Sequence, residues 1–243
     1  MTKLYLTVDL EKDPWTNQIP SQETTRMLNI LKQKNQLITF FVSGEVYEEA
    51  PDLVDLVATS GHEIGLHSYH HHVLNNKEDL VNELNKAADF IKKYHPKGFR
   101  APCIRLPTGS LGVLKNYGFL YDSSVFFPMV AKEEILEIPA SSFSLLPVTS
   151  KFCSPKDFGR ALLNLEIPYG SGLFTALLPA VQRYFINRSK QPCVIYLHPW
   201  QLSKHKIFGP FKKWGLLPYT PSCEKSFTAL CQNYTLSPIS TLV

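Results

Sequence analysis

The sequence predicts an α/β protein built on parallel strands. Short apolar runs alternate with amphipathic segments along most of the chain, and Gly, Pro or polar residues separate them. The side chains with the most chemistry, Asp9, His67, Arg100, Asp122 and His198, each fall where a strand gives way to a loop. Alternating strands and helices argue for βα units and a parallel sheet. In such folds functional groups collect where strands end.

Taken in order, Leu4, Leu6 and Val8 alternate with Tyr5, Thr7 and Asp9, a strand that ends at the acidic cluster Asp9-Leu10-Glu11-Lys12-Asp13. Residues 21–35 form a helix with Met27, Leu28 and Leu31 on one side. The nearly continuous apolar run from Leu37 to Val42 is a strand covered on both faces. Pro51 opens a helix that stops near Gly61, and Glu63 to Leu66 form a short strand leading to the histidines. Asn76 caps a helix reaching about Tyr94, with Leu80, Leu84, Ala87 and Ile91 facing inward. Residues 98–102 are a strand end, 111–117 a short helix and 119–122 another strand. Residues 172–188 are helical, with Pro179 kinking or splitting the helix, and Cys193 to His198 form the last strand.

Of the 243 residues 44% are hydrophobic and 19% charged, enough for a sizeable core. A formal net charge of +4, with no block of like charges, gives no reason to expect nucleic acid. Lys204, Lys206, Lys212 and Lys213 thicken the basic character near the end, as a solvated surface or a contact with anionic lipid or a phosphate-bearing carrier. The five cysteines are widely spaced without a CxxC, so neither a zinc ribbon nor a disulfide framework is expected, and free thiols fit a reducing compartment. The amino terminus lacks a secretory apolar region, and no apolar run reaches the roughly 20 residues of a membrane span. The expectation is a cytoplasmic protein, with the inner membrane face as a further possibility.

The densest chemistry lies in Gly61-His62-Glu63-Ile64-Gly65-Leu66-His67-Ser68-Tyr69-His70-His71-His72, which holds five of the eight histidines. His67 and His71 are four apart, so one helical turn would set both imidazoles on one face as ligands of a divalent metal ion. His70 shares that geometry with His67, so spacing alone leaves the register open. The carboxylates such a site needs stand in the Asp9–Asp13 cluster.

These segments together resemble the polysaccharide deacetylases of carbohydrate esterase family 4, the NodB-homology family. The ordered motifs are Thr7-Val8-Asp9-Leu10-Glu11, His67-Ser68-Tyr69-His70-His71, Phe99-Arg100-Ala101-Pro102, Tyr121-Asp122-Ser123-Ser124 and Leu197-His198-Pro199-Trp200. The likeness is closest to the branch associated with exopolysaccharide and lipid-linked glycan biosynthesis, through Pro168-Tyr169-Gly170-Ser171-Gly172 followed by Leu177-Leu178-Pro179 and the late His-Pro-Trp. The resemblance implies a distorted (β/α)7 barrel spanning residues 1–243 as a single domain, with 204–243 as an extension packed on the barrel. It implies removal of an acetyl group from an N-acetylated glycan with one divalent ion, zinc first and cobalt or nickel as alternatives. It assigns Asp9 as general base, His198 as general acid and Arg100 as the group that holds the base. Glu11, His67 and His71 become the metal ligands, with Asp13 in reserve for Glu11. Cys103 supplies a peptide N–H to the oxyanion, Leu197 walls the acetyl pocket, and Ser68 and Asp122 support the site. Trp200, with Trp15, is a candidate sugar-stacking wall.

The chemistry agrees with those roles. An amide carbonyl is a poor electrophile, and an ion held by two imidazoles and a carboxylate keeps positions open for water and the carbonyl oxygen. The leaving amine needs a proton, a task suited to histidine. Two departures matter: many members have adjacent aspartates where this chain has Asp9-Leu10-Glu11, and tyrosine where it has Cys103. Two alternatives therefore stand beside the deacetylase: a non-catalytic carbohydrate-binding protein on the same scaffold, and a metal-independent amide or ureide hydrolase. The sequence does not identify the sugar or the oligomeric state.

Overall fold

The computed structural model describes residues 4–127, 130–144, 166–204 and 220–243. Its strands are β1 (Leu4–Leu10), β2 (Thr39–Val42), β3 (Glu63–Leu66), β4 (Gly98–Phe99), β5 (Tyr121–Asp122), β6 (Phe126–Phe127), β7 (Ala131–Lys132), β8 (Leu136–Glu137), β9 (Ala140–Ser141), β10 (Phe143–Ser144), β11 (Glu166–Ile167) and β12 (Cys193–Leu197). Eight of them form one sheet in the order β12-β1-β2-β3-β4-β5-β8-β7. The first seven run parallel, and β7 pairs antiparallel with β8 at the edge. The curled sheet and its helices make the distorted (β/α)7 barrel that the motifs imply.

Period-2 alternation sorts each strand between two faces. Leu4, Leu6, Val8 and Leu10 of β1 join Phe40, Val42, Ile64 and Leu66 in the main core beneath the helices. Tyr5 turns the other way and packs with Phe41, Tyr121 and Val194 inside the curl of the sheet. Thr7 and Asp9 share that inner face, and both are buried. Gly98 is required there, because a Cβ would collide with the Tyr121 ring.

The helices are α1 (Ser21–Gln33), α2 (Gly44–Glu49), α3 (Pro51–Thr59), α4 (Lys77–Lys86), α5 (Ala88–Tyr94), α6 (Leu111–Asn116), α7 (Gly172–Leu177), α8 (Pro179–Arg188) and α9 (Glu224–Asn233). Met27, Leu28 and Leu31 anchor α1, and Pro51 occupies the first turn of α3 as its fixed φ allows. Asn76 caps α4 by accepting the Asp79 N–H at 2.8 Å. The single helix expected from Asn76 to Tyr94 is interrupted at Ala87, although the Ala87 N–H still reaches the Glu83 carbonyl at 3.0 Å. Beyond the break Phe90 enters the core and Ile91 sits at its margin. Pro179 splits residues 172–188 into α7 and α8.

The Gly-rich segment serves the backbone. Gly170 donates to the Ser141 carbonyl and accepts from the Tyr196 N–H, and a Cβ there would stand 2.5 Å from Val194 O. Residues 220–243 pack against the barrel: α9 carries Phe227 and Leu230 into the main core. The tail then donates backbone N–H groups to the first residue of each of β1, β2 and β3. Ser237 reaches Leu4 O, Ile239 reaches Thr39 Oγ1 and Ser240 reaches Glu63 Oε2. Among the described residues no helix is long and apolar enough to cross a membrane. Cys103, Cys193, Cys223 and Cys231 are free thiols, while Cys153, Lys206, Lys212 and Lys213 lie outside the described residues.

Candidate active site

The carboxyl ends of adjacent strands supply the site. Asp9 lies at the end of β1 and Glu11 just beyond it, two apart in extended chain and so on the same face. His67 follows β3, Arg100 follows β4, Asp122 ends β5 and His198 follows β12. Asp9, Glu11, His67, His71, Cys103, His198 and Trp200 all border one cleft of about 200 Å³.

Arg100 is the hub beneath that cleft. Its side chain is fully buried and every part of the guanidinium is engaged. Nη1 donates to Asp9 Oδ1 and to Thr7 Oγ1, both at 2.7 Å, Nη2 to Ser123 Oγ at 2.8 Å, and Nε to the Ser123 carbonyl at 3.1 Å. The Phe41 ring lies 4.2 Å from its central carbon. Asp9 Oδ1 is thus committed to a charge-assisted bond. Asp122 braces this hub indirectly: it accepts from Ser124 N–H and Ser124 Oγ, and Ser124 Oγ accepts the Ala101 N–H. Burial pushes the Asp122 carboxyl up to about 7.

Glu11, His67 and His71 place one ligand atom each within 4.8 Å of one another. Glu11 Oε2 stands 3.6 Å from His67 Nε2 and closer still to His71 Nε2. Tetrahedral ligands about 2.0–2.1 Å from zinc are spaced at about 3.4 Å. His67 Nδ1 meets the Arg100 carbonyl at 2.8 Å, and a carbonyl can only accept, so the proton sits on Nδ1 and Nε2 keeps its lone pair. His67 Nε2 and Glu11 Oε2 are buried without a conventional hydrogen bond among the described residues. Two orphaned acceptors aimed at one point, with a third nitrogen beside them, fit a divalent cation. Burial would raise Glu11, but His71, His198 and His67 more than reverse it and hold the carboxyl well below its usual range, ionised as a ligand must be. Burial lowers His71, and the Glu11 carboxylate more than offsets that, raising the imidazole above its ordinary value. His67→Ala is therefore expected to abolish stoichiometric binding at this cluster, read by elemental analysis after dialysis; unchanged metal content would remove His67 from the ligand set.

The histidine spacing works by a different route from the one expected. Residues 67–72 are a loop, not a helical turn. Ser68 adopts a left-handed φ of 62° and reverses the chain, so the His67 and His71 ring centroids come within 5.2 Å. The fully buried Ser68 also donates to Glu83 Oε2 at 3.3 Å, which agrees with its bracing role. His70 turns away to Glu83, so it is His71 that stands beside His67 and Glu11. Asp13 accepts the Trp15 N–H at 2.7 Å and shapes its own turn, so Glu11 is the carboxylate at the cluster.

His198 faces the same point from β12. Its Nε2 lies 3.5 Å from Glu11 Oε1 and 4.0 Å from Asp9 Oδ2. Gln201, which sequence reasoning missed, orients it: Gln201 Oε1 accepts the His198 backbone N–H at 2.9 Å and meets Nδ1 at 3.2 Å. An amide oxygen that already accepts a backbone N–H presents itself as acceptor to Nδ1 as well, leaving Nε2 for the cleft. The only signal was a polar side chain three residues past a histidine, the spacing of a capping box.

Two wall assignments change. Along β12, Val194, Tyr196 and His198 share the inner face, so Leu197 points outward and is fully buried in the main core. Tyr196 borders the cleft instead, with Ile104 and Phe126. Trp200 is only 3% exposed; it stacks on His198 at 4.7 Å and lies 3.4 Å from Glu11 Oε1, behind the histidine rather than as an open platform. Cys103 borders the cleft at a φ of 57°, and burial raises its thiol above its ordinary value.

Comparison with known proteins matches residues 2–121 to the polysaccharide deacetylase family. A peptidoglycan-N-acetylglucosamine deacetylase of Bacillus cereus is 37% identical over 84 residues, 32% of this chain and 30% of that protein. The peptidoglycan deacetylase-like protein FGM2 of Gibberella zeae is 31% identical over 107 residues, 41% of this chain and 32% of that one. The matched segment is thus about a third of the length of these curated relatives. A structure from Mycobacterium smegmatis, assigned as a polysaccharide deacetylase, superposes with a TM-score of 0.63 at 18% identity, covering 99% of this chain and 88% of that one. A family 4 carbohydrate esterase from Streptomyces lividans superposes at 0.51 with 16% identity, covering 98% and 91%. With the five motifs in order and their side chains gathered at one rim of the barrel, the chain belongs to the polysaccharide deacetylase family, the NodB-homology group of carbohydrate esterase family 4.

Proposed function

We propose that this protein removes the N-acetyl group from an N-acetylated glycan with one divalent metal ion, zinc first, held by Glu11, His67 and His71. The observation that carries this is the convergence of three ligand atoms, an Arg100-anchored carboxylate and a Gln201-oriented imidazole on one cleft. The relatives named as peptidoglycan and chitin deacetylases point the same way. When bound, the ion supplies Lewis acidity, polarising the acetyl carbonyl and acidifying water.

The chain's own groups divide the proton work. Asp9 Oδ1 is fixed by Arg100, so Oδ2 is the base that takes the proton from the attacking water. Water oxygen adds to the acetyl carbon, the C–N bond breaks, and His198 Nε2 gives the departing amine its proton. The products are acetate and a free amino sugar. The Cys103 N–H, at the border of the cleft, is the proposed donor to the oxygen that gains charge, a contribution typically worth ~10²–10³ in rate. Ile104, Phe126 and Tyr196 form the apolar side of the cleft, which suits the acetyl methyl.

The glycan is proposed to be a polymer or lipid-linked precursor of the exopolysaccharide type, met at the cytoplasmic membrane face. Acetate release from N-acetylated oligosaccharides tests the reading. Chelator-treated protein is expected to be inactive, and zinc, cobalt or nickel to restore it. Release unchanged by complete metal removal would reject the metal mechanism. Sugar affinity without acetate under any metal would favour the carbohydrate-binding alternative.

A further inference from the structure

We propose that His70, His72 and Glu83 form a second divalent-metal site, built from the residues of the histidine loop that the first cluster leaves out. It goes beyond the deacetylase reading and stands without it. The three residues place one ligand atom each within 4.8 Å of one another. Glu83 Oε1 is 3.1 Å from His70 Nδ1 and 3.9 Å from His72 Nε2, bracketing the spacing of about 3.4 Å expected for tetrahedral zinc ligands. The His70 and His72 rings lie 5.5 Å apart and within 31° of parallel.

The carboxylate is prepared for the role. Glu83 is 3% exposed and rises from α4 behind the loop. Its Oε2 is occupied by the His70 N–H at 2.7 Å and by Ser68 Oγ at 3.3 Å, which fixes the group's orientation. Oε1 faces outward toward the two imidazoles. A metal ligand whose second oxygen is held by neighbouring donors is an arrangement that raises affinity and selects geometry. The locus also attracts a cation: the Lys86 ammonium lies 3.3 Å from Oε1 and 3.4 Å from His70 Nδ1. Lys86 is about half exposed on a flexible stem, so a divalent ion can displace it into solvent.

The ligand set of two imidazoles and a carboxylate leaves an open position on the solvent side, and nitrogen–oxygen sites of this kind take zinc, cobalt or nickel. With both imidazoles partly exposed, this site is the weaker of the two. Occupancy would tie the loop bearing His67 and His71 to α4 through His70 and His72, which flank His71.

Metal-free protein titrated with zinc, and separately with cobalt, is measured by equilibrium dialysis and elemental analysis. The expected result is two equivalents per chain, the second at least tenfold weaker than the first. His72→Ala and His70→Ala each lose the weaker equivalent and keep the tighter one, while His67→Ala loses the tighter and keeps the weaker. Unchanged circular dichroism establishes that each variant is folded. A single equivalent at saturating metal, or two equivalents retained by both His70→Ala and His72→Ala, overturns the second site. Because the tighter equivalent and acetate release are read separately, that failure differs from failure of the deacetylase reading.

Discussion

Asp9→Asn is expected to lower acetate release by roughly 10²–10⁴-fold while the protein keeps its metal at Glu11, His67 and His71. Asparagine preserves volume and can still accept the Arg100 Nη1 hydrogen bond through its amide oxygen. The position facing the cleft then becomes an NH₂ group, a donor that cannot take a proton from water. Because Asp9 is outside the ligand cluster, elemental analysis should find the same stoichiometry as in the wild type. Turnover near the wild-type rate would show that another group acts as base. Coupled loss of metal and activity would show instead that Asp9 belongs to the ligand set.

Arg100→Met should have the largest effect on stability. The guanidinium is wholly buried and satisfies Asp9, Thr7 and both oxygens of Ser123. Removing one partner of a buried ion pair typically costs about 3–5 kcal/mol, because the other charge stays buried and unpaired. Denaturant titration measures that cost, and Arg100→Lys is expected to recover only part of it. A lysine restores a charge but cannot span Asp9 and Ser123 with a planar fork. A loss below about 1 kcal/mol, the scale of an exposed pair, would mean that Arg100 is not the hub its contacts describe. The same variant should lose turnover even where it remains folded, since Asp9 would no longer be held.

Much of this was legible in the sequence because it depends on period and punctuation. The alternation in Leu4–Asp9 places Asp9 and, two residues on, Glu11 on the inner face, and the packing of β1 follows it, with Leu4, Leu6 and Val8 in the main core and Tyr5 on the other side. Of the residues placed at strand ends, Asp9, His67 and His198 border one cleft, Arg100 holds Asp9 beneath it, and Asp122 connects only through Ser124. The helical argument for His67 and His71 brought the two rings together through the wrong geometry. Spacing cannot distinguish a helical turn from a loop reversed at a left-handed serine, and Ser68 adopts a conformation that serine seldom takes. The placement of His70 away from His67 depends on Glu83, 13 residues on in α4. Leu197 was misplaced although its own strand's alternation puts it with Cys193 and Ile195 rather than with His198. Gln201 was invisible for lack of any periodic signal. The two-residue strands β6 to β11 are too short for a pattern to register.

The pairing of β12 beside β1 has a consequence for how the protein is made. Leu4 lies opposite Cys193 and Val8 opposite Leu197, so this ladder joins strands 189 positions apart in the chain. A polypeptide emerging from the ribosome carries Asp9, Glu11, His67 and His71 early, yet one edge of β1 has no neighbour until Cys193–Leu197 appears. Until then that edge exposes unpaired amides of an apolar strand, a template for wrong pairing. His198, the proposed proton donor, arrives only with the same late strand, so the complete cleft and protection of this edge are acquired in one step. Loop closure over so long a separation is slow, which makes this docking the natural bottleneck of maturation.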